Sequence, residues 1–219
     1  LTSAMVNSCD VYFYKTIHYF DLDELSESFK AFGFSYPTQV DIFGESVGIV
    51  PSTSLMNEIH GRYGWSKGAL LNICIGQGEL LVTPIQVLNY VNLIATRGAA
   101  QIPHFVTVDK LPENFNPKLR PAIWETIITD LRKVITHRKG TGKEAQPNIL
   151  DLKVFGKTGT AENPHGDNHA WFIGWCEIKN KKYSIVVLLE NAGSGGSVAA
   201  PLVQEIFMKM FTEADLTLK

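Results

Sequence analysis

Lys153-Val154-Phe155-Gly156-Lys157-Thr158-Gly159-Thr160-Ala161 is the stretch that decides the fold class. It follows a Gly140-Thr141-Gly142 loop, beyond which helical spacing gives way to the period of strands. Two more strand-like runs follow, Ala170 to Ile178 and Tyr183 to Glu190, separated by turn chemistry at Asn163-Pro164, Gly166-Asp167 and Asn180. Together the three predict an antiparallel meander. Ser197 is the expected N-cap of a closing helix whose Val198, Leu202, Val203, Ile206 and Met210 would pack on one face of that sheet.

Upstream, the chain reads as helices and loops. Asp10 to Phe20 carries an aromatic and aliphatic stripe, and Asp21-Leu22-Asp23-Glu24 has the form of a capping box before a short helix that stops at Gly33. Pro37 to Pro51 reads as extended and rich in turns. Thr83 is a good N-cap, Pro84 suits the first helical position, and the helix they open runs to Arg97 with Gly98 as its stop. A further amphipathic helix from Pro121 to about Thr136 would bury Ile123, Ile127, Leu131, Val134 and Ile135. A mainly helical portion, 1–145, followed by strands and a last helix, 146–219, is an α+β layout.

Composition narrows the function classes. The 219 residues carry a formal net charge of −2, with 20 basic and 22 acidic side chains; the basic residues are scattered, and Lys179, Lys181 and Lys182 around Asn180 form only a short cluster that reads as a solvated turn. No nucleic-acid partner is expected. Cys9, Cys74 and Cys176 stand far apart without a Cys-x-x-Cys spacing, so neither a disulfide framework nor a zinc site is expected. The apolar run from Leu80 to Ala95 is broken by Pro84, Gln86 and Asn89, which argues against a membrane span. His165 and His169 have metal-like spacing, but Pro164 and Gly166 disfavour a helix there. Gly193-Ser194-Gly195-Gly196 looks like a dinucleotide-binding turn, yet too little chain follows for the crossover and next strand. No cofactor is expected.

Two short polar motifs remain. Ser8-Cys9-Asp10 opens a helix near the start, and Lys157-Thr158-Gly159-Thr160 lies on a strand near the end. Each alone is weak. Their order and context match the Ser-x-Asn and Lys-Thr-Gly elements of penicillin-recognising acyl-transfer enzymes. Ser8 to Tyr14, Ile75-Gly76-Gln77-Gly78 leading to Thr83-Pro84, Gly156 to Glu162, His169-Ala170-Trp171-Phe172, and Gly195-Gly196 followed by Ala199-Ala200-Pro201 occur in family order. On these blocks the chain resembles the transpeptidase domain of elongation-type class B penicillin-binding proteins. Asp10 departs from the commonest Asn at its position.

The resemblance implies a penicillin-binding, serine β-lactamase-like fold, an antiparallel sheet packed by helices and incomplete here. It implies a serine D,D-transpeptidase that cross-links peptidoglycan stem peptides and is acylated by β-lactams. Ser8 would pass a proton toward the leaving nitrogen, and Asp10 would hydrogen-bond the family's lysine and a substrate amide. Lys157 would add positive charge beside Ser8. The Thr158 and Thr160 hydroxyls would bind the substrate carboxylate, the Thr160 N–H would complete an oxyanion hole, and Gly159 would let substrate run alongside the strand. No Ser-x-x-Lys occurs in the chain; Thr107-Val108-Asp109-Lys110 and Thr136-His137-Arg138-Lys139 are read as chance. The nucleophile and its lysine are therefore expected before Leu1, and the piece alone is expected to be inactive.

Trp171, Phe172 and Trp175 read as core, Gln77 and Glu79 as structural, and Glu162 as a solvated strand end. The resemblance further implies a parent anchored at the extracytoplasmic face of the inner membrane and working with wall-elongation proteins, including a membrane glycosyltransferase. A β-lactam sensor or β-lactamase on the same fold, and a non-catalytic docking module of the elongation machinery, are the other classes left open. With no neighbour beyond it, the strand 183–190 would present an edge suited to a homodimer.

Overall fold

The computed structural model describes residues 1–107 and 111–212; the imitation motif Thr107 to Lys110 falls largely outside the described residues. In chain order the elements are α1 (Thr2–Asn7), α2 (Asp10–Ile17), α3 (Leu22–Ala31), α4 (Thr53–His60), α5 (Lys67–Cys74), α6 (Pro84–Ala95), α7 (Pro121–Thr136), a 3-10 turn (Lys143–Ala145), β1 (Lys153–Ala161), β2 (His169–Ile178), β3 (Lys181–Leu189), a π-helical turn (Gly195–Ala199) and α8 (Ala200–Thr212). They form two compact units, Leu1–Ser8 with Pro121–Lys219, and Cys9–Arg120.

The first unit is built on the meander, antiparallel in the order β1-β2-β3. Lys179 and Asn180, both at positive φ (47° and 63°), form the two-residue β2–β3 connection, the geometry that matches strand twist. Strand alternation separates two faces. On one, Val154, Phe172 and Cys176 are fully buried with Ala200, Val203 and Phe207 of α8, and burying a side chain of the size of Phe172 stabilises by about 1.5–3 kcal/mol. On the other, the Phe155 and Trp175 rings stack at 4.8 Å. The Arg132 guanidinium of α7 lies 5.7 Å from the Phe155 ring and donates to Val154 O and Gln146 Oε1, both at 2.7 Å.

Two helix faces differ from the sequence expectation. In α7, Leu131, Val134 and Ile135 are buried as expected, but Trp124 and Ile128 take the places assigned to Ile123 and Ile127. Ser197 does not cap α8: it lies inside the π-helical turn, with its hydroxyl 2.8 Å from Ser194 Oγ. Val203 is buried as expected, with Val198, Leu202 and Ile206 packed partly buried against the same core; Phe207 joins it, and Phe211 packs edge-on to Tyr183 at 5.2 Å. Met210, expected inside, is exposed.

In the second unit the capping box expected before α3 is present, the expected N-cap Thr83 of α6 proves to be part of a second one, and α6 ends at Ala95, two residues short of the expected Arg97. Asp21 and Glu24 cap α3 reciprocally, and Thr83 with Gln86 does the same for α6, with Pro84 at its first position. Helices α4 and α5, each opened by a serine cap (Ser52, Ser66), add to the helices read from the sequence. Leu22, Met56 and Ile73 bury together, and Tyr90 meets Phe32 and Phe34 at 5.1 and 5.5 Å. Burial pushes the Tyr90 phenol pKa up. Gln86 Nε2 donates to Tyr36 O (3.0 Å) and Val47 O (2.8 Å), tying down the extended 37–51 segment.

Candidate active site

Ser8 sits at a reversal of the chain rather than at a simple helix start. It ends α1 in the left-handed conformation (φ 51°, ψ 55°), with its N–H directed at Ala4 O and Met5 O, and Cys9 then starts α2 from extended geometry. A non-glycine residue there costs roughly 1–2 kcal/mol, so the position must be held by its surroundings. The holding is done by α1, which buries Ala4 and Val6 and packs on α7. At its other end the Thr2 hydroxyl donates to Asp130 Oδ1 of α7 at 2.7 Å.

Lys157 comes from β1, which also packs on α7. One helix therefore supports both partners. The Lys157 ammonium donates to Ser8 Oγ at 2.8 Å and to Thr158 O at 2.7 Å. A hydroxyl oxygen that accepts from an ammonium still has its own proton to give, and the adjacent cation makes that proton easier to release. The pair is thus chemically suited to deliver a proton to a basic leaving group beside it.

Thr158 and Thr160 share a face of β1 opposite Phe172 and Ala170. The Thr158 hydroxyl is buried and donates to Thr141 Oγ1 at 2.9 Å. The Thr160 hydroxyl accepts from Gly195 N at 3.3 Å. Both threonine hydroxyls therefore have partners within the chain. Gly159, opposite Trp171, has little room: a Cβ there would stand 3.2 Å from Trp171 Cβ. Gly195 has none, because a Cβ would fall 2.2 Å from Trp171 O and 2.3 Å from Gly159 O. Its backbone lies directly against the β1–β2 ladder, which only glycine permits.

Asp10 belongs to the second unit, where it is the first residue of α2 and places a carboxylate at a helix N-terminus. The Cys74 thiol pKa is raised, mainly by burial and then by the negative field of Asp10. Burial also pushes the Cys176 thiol up to about 12. The three cysteines are free. His169 accepts from Asn191 N through Nδ1 at 3.0 Å, and Asn163 donates to Asn191 Oδ1 at 2.6 Å.

Sequence reasoning missed three supports of this arrangement: Thr141, Gly195 and the Thr2–Asp130 bond. Thr141 was visible only as the middle of a turn-like Gly-Thr-Gly. Gly195 stood in a glycine run whose contact with the ladder no local pattern reveals.

A strand-borne lysine held against a serine, with paired threonines on the same strand, is an arrangement of the penicillin-recognising class. The family described as the penicillin binding protein transpeptidase domain matches residues 1–208. The chain belongs to that family. It is 31% identical over 233 residues to the peptidoglycan D,D-transpeptidase MrdA of Haemophilus influenzae, covering 94% of this chain and 35% of that protein. Among solved structures it is similar to PBP2 of Pseudomonas aeruginosa in complex with WCK 5153 (30% identity, TM-score 0.82, 94% of this chain and 46% of that one). It is likewise similar to PBP2 of Helicobacter pylori (31% identity, TM-score 0.81, 96% and 40%), a protein also seen in complex with MreC. The chain thus spans about a third of the curated relative's length, and the resemblance to elongation-type class B proteins read from its motifs agrees with these matches. Among the described residues no helix is long and apolar enough to cross a membrane.

Proposed function

We propose that this chain forms the Ser-x-Asp and Lys-Thr-Gly-Thr walls of a serine D,D-transpeptidase site that cross-links peptidoglycan stem peptides and reacts with β-lactams. The observation that carries this reading is the 2.8 Å bond from Lys157 Nζ to Ser8 Oγ, which joins two motifs 149 positions apart. In this reading Ser8 relays a proton to the departing amine, and Lys157 supplies the positive charge that favours both that transfer and an anionic substrate carboxylate. Thr158 and Thr160 bind the carboxylate, the Thr160 N–H serves as an oxyanion donor, and Gly159 keeps the strand open to substrate. Asp10 orients the family's lysine and a substrate amide. The nucleophilic serine and that lysine come from a Ser-x-x-Lys outside the present sequence.

The site faces the extracytoplasmic side of the membrane, and the partners are wall-elongation proteins, as the complex of the Helicobacter pylori relative with MreC suggests, together with a membrane glycosyltransferase. Strand 183–190 is a candidate homodimer edge, since β3 has a ladder partner on one side only among the described residues; a monomeric mass in light scattering at high concentration would dispose of that idea.

Labelling with a fluorescent penicillin tests the central reading. The 219-residue chain is compared with the protein extended upstream through its Ser-x-x-Lys. The longer protein alone should be labelled, and Lys157→Ala should slow its labelling by about a hundredfold, the scale of losing one charge-stabilising contact in a preorganised site. Labelling of neither protein, or an unaffected Lys157→Ala, defeats the reading.

A further inference from the structure

The loop before the strands carries a hydroxyl with a place in substrate recognition. We propose that Thr141 is a positioning residue for carboxylate binding, acting through Thr158. The inference rests on the transpeptidase reading above.

Three observations lead to it. Thr158 is buried, yet its hydroxyl is neither turned to a backbone carbonyl of its own strand nor left unpaired; it donates to Thr141 Oγ1 at 2.9 Å. Thr141 belongs to a loop that is itself locked: Gly142 N donates to Val134 O, and Gly140 N to His137 O, at the C-terminal end of α7. A Cβ on Gly142 would press on Ile135 Cδ1 at 2.8 Å, and one on Gly140 would fall 2.1 Å from Val134 O. The loop therefore has no slack to withdraw the Thr141 hydroxyl. Thr160, two residues along the same face, is tied separately to the Gly195 backbone.

The consequence follows from counting protons. A hydroxyl has one proton to donate and two lone pairs to accept with. With Thr158 donating to Thr141, Thr158 offers an arriving anion only lone pairs, which repel it. For Thr158 to donate outward, both hydroxyls must rotate, so that Thr141 donates to Thr158 while Thr158 donates to the carboxylate. No proton leaves either oxygen. Thr141 is the group that keeps Thr158 satisfied in both states, and in the second state its donated bond strengthens the outward one by polarising it. Removing the Thr141 hydroxyl leaves a buried Thr158 with no internal partner and a carboxylate with a poorer donor.

The test uses the full-length protein and separates binding from chemistry by measuring the acylation constant and the half-saturating concentration for a carboxylate-bearing penicillin and for its uncharged ester. Thr141→Val, nearly isosteric, should weaken half-saturation by the acid about tenfold, the scale of one hydrogen bond to a charged group. Its limiting acylation rate should stay within about threefold, and the ester should react as with wild type. Thr141→Ser should restore the acid, and Thr141→Ala should repeat the valine result if valine impairs folding as judged by melting temperature. Equal losses for acid and ester, a defect confined to the limiting rate, or no defect would overturn the proposal. A wild-type protein that neither penicillin acylates would overturn the transpeptidase reading and this inference with it, whereas acylation of wild type with an indifferent Thr141→Val overturns this inference alone.

Discussion

The two units are stabilised by different means. The unit of Leu1–Ser8 with Pro121–Lys219 packs Val154, Phe172, Cys176, Val203 and Phe207 into one apolar layer between a regular sheet and α8. Its polar bonds include Lys157 to Ser8 and Thr158 to Thr141 at the candidate site and, away from it, the links of Arg132 to Gln146 and Val154. The unit of Cys9–Arg120 contains long stretches without regular structure, and buried or charged polar side chains pin these down one by one. Gln86 bridges Tyr36 and Val47, Thr38 donates to Glu45 Oε1, and Asn89 and Asn114 exchange amide bonds at 3.0 and 2.8 Å. Apolar layers tolerate modest reshaping, whereas a polar strut fails when a single atom is lost. Precision in the first unit should therefore rest on core volume, and in the second on individual hydrogen bonds.

Phe172→Ala is the largest expected break. It empties a fully buried site opposite Thr158 and should lower unfolding stability by about 3–5 kcal/mol, read as a drop in the urea midpoint. Hydrogen exchange should show the loss first in β1, β2 and β3. An equal and simultaneous loss throughout 9–120 would erase the distinction drawn between the units.

Gln86→Leu sharpens the other side of the comparison. The side chain keeps its bulk, but Thr83 N, Tyr36 O and Val47 O lose their partner. At about 1–3 kcal/mol for an orphaned buried group, partly relieved by water, the expected cost is roughly 2–4 kcal/mol, with exchange protection falling around 36–48. A neutral Gln86→Leu would mean that packing, not polar bonding, holds that segment.

The same contrast explains what was legible in the sequence. The strands of the first unit came through almost residue for residue, because alternation and turn residues act locally; His169 is added to one, and Lys181 and Lys182 are added to another, which ends at Leu189 instead of Glu190. Caps such as Asp21 and Thr83 were equally visible, since each motif spans four residues. Helix faces were less so: Trp124 and Ile128 replace Ile123 and Ile127 because long-range packing chooses between adjacent stripes of similar hydropathy. The Gly195–Ala199 turn and the exposed Met210 escaped for a related reason, as no local pattern marks the π-helical winding or the close approach of Gly195 to the ladder. At the site, Ser8 and Lys157 were readable as motifs, but their meeting at 2.8 Å depends on α7, which carries no motif at all.

Asp41 offers the smallest and most selective test of the polar unit. Its carboxylate accepts from Phe105 N and Val106 N, each at 2.7 Å, pinning a loop 64 residues further on. The Phe105 bond first and the Val106 bond second hold its pKa below the ordinary 3.8. A carboxyl whose folded pKa is depressed favours the folded form when ionised, so this bracket contributes above pH about 3.8 and is lost as pH falls through the lower folded value. Because the group is exposed, solvent screens the effect and global stability should hardly register it. The local signal is distinct: in an NMR titration the Phe105 and Val106 amide shifts should move together with the Asp41 carboxyl resonance, at a pH below that of an ordinary aspartate. In Asp41→Asn, which keeps one acceptor oxygen but cannot ionise, that pH dependence should vanish while the loop stays attached by a weaker bond. Amide shifts that titrate at an ordinary aspartate pH, or persist in Asp41→Asn, would show that the loop is held by its backbone and not by this carboxylate, and the polar unit would then be less dependent on single side chains than its geometry indicates.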